Sequence, residues 1–141
     1  MKTKTNWLAL LTTLVVNMGL GMLWYGKLFN AQWMSGNGIS LAGDKMMKNG
    51  VEMPMSNLPM ITNVVSLLVF SFLINWLVEK TQSFTFQSGA ILGGVIGLIN
   101  FFGIYTGNRF AGNPTSLSMV DGSYTLLLFV IMGAIIGGWR K

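Results

Sequence analysis

The chain has 141 residues, of which 52% are hydrophobic and only 9% charged, and its mean hydropathy is +0.58. Soluble domains carry about a quarter charged residues, so this composition excludes a soluble enzyme and a disordered regulator. The net charge of +5 comes from basic residues scattered along the chain, whereas proteins that bind nucleic acid cluster them on one face. The chain also has no Cys and no His, the commonest metal ligands and the commonest general base. We therefore expect no nucleic-acid partner, no metal, no cofactor and no catalytic residue.

Four apolar stretches lie between the charged residues. They run from Asn6 to Lys27, from Leu58 to Glu79, from Phe86 to Gly107 and from Ser118 to Trp139. Each has the roughly 20 residues that a helix needs to cross the ~30 Å hydrocarbon layer of a bilayer. The sequence thus predicts an all-α membrane protein in which residues 1–141 form one domain, a compact bundle of four transmembrane helices.

The links between these stretches differ in length. In the segment 28–57, the spacing of Phe29, Trp33 and Met34 predicts a short interfacial helix, and residues 44–48 are expected to add one more helical turn. The link 81–85 is short, so the second and third spans are expected to be antiparallel neighbours. Six methionines surround the long link, where packing is a better explanation than copper binding because no Cys or His supports them. Four aromatic residues are predicted to anchor the helices at the membrane interfaces: Trp24, Tyr25, Trp33 and Trp139.

Orientation follows from the distribution of basic residues. Four crossings place both termini on one side of the membrane. That side then holds five basic residues against four on the other. Because basic residues favour the cytoplasm, we expect both termini there.

Glycines recur at four-residue steps in two of the spans. Gly89, Gly93 and Gly97 share one face of the third helix, and Gly133 and Gly137 form a similar face on the fourth. In lipid, such faces allow close contact between helix backbones. The pattern predicts helix packing, and we favour packing within one subunit over packing between subunits.

Three amides lie within the apolar stretches. Asn17, Asn75 and Asn100 are costly if they face lipid, so we expect each to point inward. One interpretation is a polar path or small-ligand site at the centre of the bundle. The favoured alternative is simple hydrogen bonding between helices, since the middle of the membrane holds no ionisable residue.

Asp121 is a charged residue expected inside the fourth helix. An unpaired carboxylate there is expensive, and Arg109, just past the third helix, is the natural partner. The favoured hypothesis is an Asp121–Arg109 ion pair near the helix start. The alternative is a carboxylate that binds a ligand or carries protons.

Several segments resemble a family of small bacterial membrane proteins known as domain of unknown function 1761. The most specific segment is Gly21-Met22-Leu23-Trp24-Tyr25-Gly26, and residues 108–110, 121–124 and 133–139 are also similar. The resemblance implies a four-helix integral membrane protein, which we expect in the bacterial inner membrane. It supplies no activity that could be transferred to this chain. This chain has Thr125 where the resemblance leads us to expect a histidine or a similar polar residue, which argues against a proton-handling role there.

Two functions remain open at this point. The first is a structural or accessory subunit, without enzymatic activity, that packs as a homo-oligomer or within a larger membrane complex. The second is a small transporter or channel whose path through an oligomer is lined by Asn17, Asn75 and Asn100. Water-accessible amides favour the second, and amides buried against helices favour the first.

Overall fold

The computed structural model describes residues 5–139. In chain order it contains α1 (Trp7–Leu23), a π-helical turn (Trp24–Leu28), α2 (Asn30–Gly36), three short strands, α3 (Leu58–Thr81), α4 (Phe86–Phe110) and α5 (Thr115–Gly138). Within the described residues, four helical segments are long and apolar enough to cross a membrane: Trp7–Leu28, α3, α4 and α5. Their bounds agree with the four predicted stretches to within three residues at each end. The basic residues Lys2, Lys4, Arg140 and Lys141, which carry the predicted orientation, lie outside the described residues.

Local signals explain where the spans begin. The Asn6 side chain accepts a hydrogen bond from the Ala9 amide at 3.1 Å and caps α1. Thr85 and Ser88 form a reciprocal capping box at the start of α4. Each cap satisfies backbone donors that the helix itself leaves free, so both starts are determined by the nearby sequence.

Helix α5 is the central helix of the bundle. It packs against α1 and α3 on one side and along α4 on the other. The core between α1, α3 and α5 contains the buried apolar residues Leu10, Leu67, Ile74, Val78, Leu128, Phe129, Met132 and Ile136. The Asn6 side chain donates to the Trp139 carbonyl at 2.9 Å, so the start of α1 lies beside the end of α5.

The glycine faces bring α4 and α5 into backbone contact. A Cβ on Gly93 would collide with the carbonyl of Phe129, and one on Gly97 would lie 2.8 Å from the Leu126 Cα. Gly89 and Gly133 face each other in the same way. The packing predicted for these glycines is therefore present, and it occurs within one chain.

The expected pairing of α3 with α4 is mostly absent. The two helices meet only slightly, and α4 has its main partner in α5. The glycine face explains this choice, since it allows α4 to approach α5 more closely than side chains on α3 would permit. The short link between α3 and α4 therefore did not determine which helix packs against α4.

The link after α2 forms strands, and the helical turn predicted for residues 44–48 was wrong. The strands β1 (Ile39–Ala42), β2 (Lys45–Lys48) and β3 (Val51–Glu52) make an antiparallel sheet in the order β1-β2-β3. Gly43 before β2, and Asn49 and Gly50 after it, have positive φ angles. An Asn-Gly pair with positive φ favours a tight hairpin turn, which ends a helix and reverses the chain.

Candidate ligand-binding site

A π-helical turn directs two aromatic side chains from the end of the first span towards α5. The Trp24 indole donates to the Val120 carbonyl at 3.0 Å, and the Tyr25 hydroxyl donates to Asp121 Oδ1 at 3.0 Å. A π turn adds one residue to the helical repeat, which rotates the side chains that follow it, and such turns are frequent at functional sites. The predicted interface anchors Trp24 and Tyr25 thus direct their polar atoms into the protein.

Tyr25 is the centre of an aromatic cluster. Its ring lies 4.9 Å from the Tyr124 ring and 5.7 Å from the Trp33 ring, both edge to face. The Tyr124 hydroxyl lies 3.1 Å from the position that a Cβ of Gly21 would occupy. Glycine at position 21 therefore makes room for Tyr124 beside α1.

A cleft of about 540 Å³ opens beside Asp121, and we call it the Asp121 cleft. It is lined by Tyr25, Ile104, Gly107, Asn108, Asp121, Tyr124 and Thr125. The lining residues thus include one carboxylate, one amide, three residues with hydroxyl groups and two aromatic rings. Such a mixture is typical of sites for small molecules, where apolar walls give affinity and few polar groups fix the orientation.

A second cavity, of about 490 Å³, lies between α1 and α3, and we call it the methionine cavity. It is lined by Met18, Gly21, Met22, Tyr25, Gly26, Trp33, Pro59, Met60, Asn63 and Tyr124. Tyr25 and Tyr124 line both cavities, so the tyrosine pair forms the wall between them. The other residues that line the methionine cavity are mostly apolar, and the Asn63 amide is an additional polar group there.

The predicted ion pair between Asp121 and Arg109 was wrong. Within residues 5–139, the salt bridge present joins Lys45 to Glu52, at 2.8 Å. The Arg109 guanidinium donates to the Asn113 carbonyl and lies 5.8 Å from the centre of the Tyr105 ring. Helix α4 extends to Phe110, so Arg109 lies in its last turn, where basic side chains bond to carbonyls at the helix end. The hydrogen-bond donor to the Asp121 carboxylate is instead the Tyr25 hydroxyl.

The three amides do not share one path. Asn17 is fully buried, and neither of its amide atoms has a hydrogen-bond partner among the described residues. Asn75 is buried in α3. Asn100 is exposed and donates to the Ile96 carbonyl of its own helix at 2.9 Å, so the expectation that it points inward was wrong.

The exposure of Asn100 follows from the way α4 crosses α5. The contact line passes through Gly93, Gly97 and Phe101, whose ring packs on Gly122. Each four-residue step turns about 40° further around the helix. Asn100, one residue before Phe101, lies about 100° away from that line. It instead shares a face with Ile104 and Gly107 and lies one turn beyond the Asp121 cleft.

Two small polar side chains of α1 and α3 meet in the core. The hydroxyl groups of Thr13 and Ser71 lie 3.0 Å apart in the buried core.

The sequence analysis did not predict Tyr124 and Asn108 as site residues. The position of Tyr124, three residues after Asp121 on the same helix face, was the available signal for it.

The cleft has one carboxylate, and the described residues contain no group of three side chains of the types that hold metal ions.

The family of the chain follows from its match to a family model. The family model described as protein of unknown function, DUF1761, matches residues 8–137. The chain belongs to the DUF1761 family. This match spans the four membrane helices and both cavities, so the family likeness inferred from the glycine and aromatic segments is confirmed. No curated protein and no solved structure matches the chain.

Proposed function

We propose that this DUF1761 protein is a small transporter without enzymatic activity that binds an organic cation in the Asp121 cleft. The observation that carries the proposal is the half-buried Asp121 carboxylate, which lines an open cleft within a membrane span. Among residues 5–139 no basic side chain forms a salt bridge with it. A carboxylate at such a place marks a functional site unless another residue pairs with it.

The chemistry of the cleft favours a cationic ligand. A carboxylate has about four positions that accept hydrogen bonds, and the Tyr25 hydroxyl uses one of them. The rings of Tyr25 and Tyr124 attract a cation through their π faces. Asn108 and Thr125 also line the cleft. The Asn108 oxygen accepts from the Asn113 amide and the Thr125 hydroxyl donates to the Asp121 carbonyl, so each oxygen keeps a lone pair with which it can accept a hydrogen bond from a ligand.

Binding of tetraphenylphosphonium to the protein in lipid nanodiscs tests the proposal, with neutral triphenylphosphine oxide as the control ligand. Asp121→Asn keeps the shape and an oxygen that accepts the Tyr25 bond while removing the charge. We expect its Kd to rise at least about tenfold, equivalent to about 1.4 kcal/mol. Asp44→Asn, at an exposed turn residue before β2, is the matched control and should bind as the native protein does. Equal binding by the Asp121 variant, or equal affinity for the neutral ligand, would contradict the proposal.

Uptake of the same cation into proteoliposomes tests the transport step. The native protein should accelerate uptake above empty liposomes, and Asp121→Asn should abolish the difference. Binding without uptake would leave a ligand-binding protein and refute the transporter assignment.

A structural or accessory subunit is a second candidate. The feature in its favour is the outer side of α4, where Ile91, Val95 and Ile99 are exposed and available to another helix. The glycine faces no longer support assembly, because they pack within the chain. Since the chain has no native cysteine, Ile99→Cys reports on a homo-oligomer by disulfide crosslinking in membranes, with exposed Leu73→Cys on α3 as control. Crosslinking at position 99 alone would support this function.

A further inference from the structure

The sheet formed by β1, β2 and β3 has two faces of different chemistry. Residues directly opposite each other in an antiparallel pair lie on the same face. The pairs Leu41 with Met46, Ile39 with Lys48 and Lys48 with Val51 therefore define one face, which is apolar except for Lys48. The opposite face carries Ser40, Ala42, Lys45, Met47 and Glu52.

Both faces are mostly exposed, and they differ in polarity. Ile39 is buried at the start of β1, but Leu41 and Val51 are 65% and 71% exposed. On the other face, Lys45 and Glu52 form an exposed ion pair. The sheet thus has a water-compatible side and an apolar side that the described chain leaves uncovered beyond Ile39.

The position of the sheet in the chain determines what is near its apolar face. Ile39 lies three positions after Gly36, the last residue of α2, and Glu52 lies six positions before α3. Gly36 packs directly on Leu117 near the start of α5, since a Cβ added to this glycine would lie 2.8 Å from the Leu117 Cβ. An extended chain covers at most about 3.6 Å per residue, so both ends of the sheet stay within roughly 20 Å of membrane-spanning helices.

We propose that this sheet lies on the membrane surface with Leu41, Met46 and Val51 inserted among the lipid headgroups. Lys48, the one charged residue on that face, has a long apolar stem that lets its ammonium group reach the phosphates. The Lys45–Glu52 pair then faces water. The occupant of the apolar face is the bilayer to which both ends of the sheet are tied. This inference is independent of the Asp121 cleft.

Single labelled cysteines test the proposal, since the native chain has none. Val51→Cys and Glu52→Cys are neighbours on opposite faces, and each would carry an environment-sensitive NBD fluorophore in nanodiscs containing nitroxide-labelled lipids. We expect the label at position 51 to emit at shorter wavelength and to be quenched several-fold more than the label at position 52. Leu41→Cys and Ser40→Cys on β1 repeat the comparison, so one poorly folded variant does not decide the result.

Two outcomes would overturn the proposal. Equal quenching of both labels in both pairs would mean that the sheet stands away from the lipid. A label at position 51 that is shielded from water without quenching by lipid would mean that a protein, such as a second copy of the chain, covers the face.

Discussion

The contact between α4 and α5 gives a sharp test of the packing argument. Gly93→Leu places a branched side chain where a Cβ would already meet the Phe129 carbonyl and lie 3.1 Å from the Val130 Cα. These are backbone atoms, so they cannot rotate away as a side chain would. Helix α4 must therefore separate from α5 along the glycine face.

The expected cost follows from that separation. Overpacking of a well-packed interior typically destabilises by about 1 to 3 kcal/mol, and we expect Gly93→Leu at the upper end because backbone rather than side chain must move. Gly93→Ala should already be destabilising, since its Cβ alone makes the collision. The adjacent Gly94→Leu is the matched control, because a Cβ there meets only the Val130 Cγ2 at 3.6 Å, an ordinary contact.

Thermal unfolding of the purified variants in one detergent measures the difference. A loss of about 1 kcal/mol corresponds to several degrees in Tm for a domain of this size. Gly93→Leu should unfold several degrees below Gly94→Leu. Equal Tm values for the two variants would refute the assignment of residues 89–97 as a backbone contact surface.

Three further predictions concern buried polar groups and topology. Asn17→Leu removes two buried polar atoms that have no hydrogen-bond partner among the described residues and keeps the branching of the side chain. Unfolding in the same detergent should therefore show greater stability by about 1 to 3 kcal/mol, and a loss would indicate a partner that the amide needs. A double-mutant cycle of Tyr25→Phe with Asp121→Asn should give a coupling energy of about 0.5 to 3 kcal/mol, because the two side chains share a hydrogen bond. The cycle of Arg109→Gln with Asp121→Asn should give no coupling energy. The reverse pattern would support the Asp121–Arg109 ion pair instead. Reporter fusions at the two chain ends should read out on the same side, which we propose is the cytoplasmic side of a bacterial inner membrane, and opposite readouts would exclude four crossings.

Only part of the site could be predicted from the sequence. Asp121 stood out because a charge inside an apolar run is unusual, and Tyr25 stood out as an aromatic residue at a span end. Their hydrogen bond joins residues 96 positions apart, so no local pattern encodes it. The natural local partner, Arg109, bonds instead to the Asn113 carbonyl in the link that follows its own helix.

The sequence by itself determined the four spans, their lengths and the glycine faces, because span length and small-residue spacing are local properties matched to the bilayer. Only the tertiary structure decided that α5 is central, because the choice between α3 and α5 as partner of α4 depends on which surfaces approach most closely. The crossing of α4 over α5 also turned Asn100 outward, since the contact line rotates about 40° with every four residues. Likewise the π turn and Gly21 allowed Tyr25 of the first span to pack against Tyr124 of α5, and this packing created the Asp121 cleft.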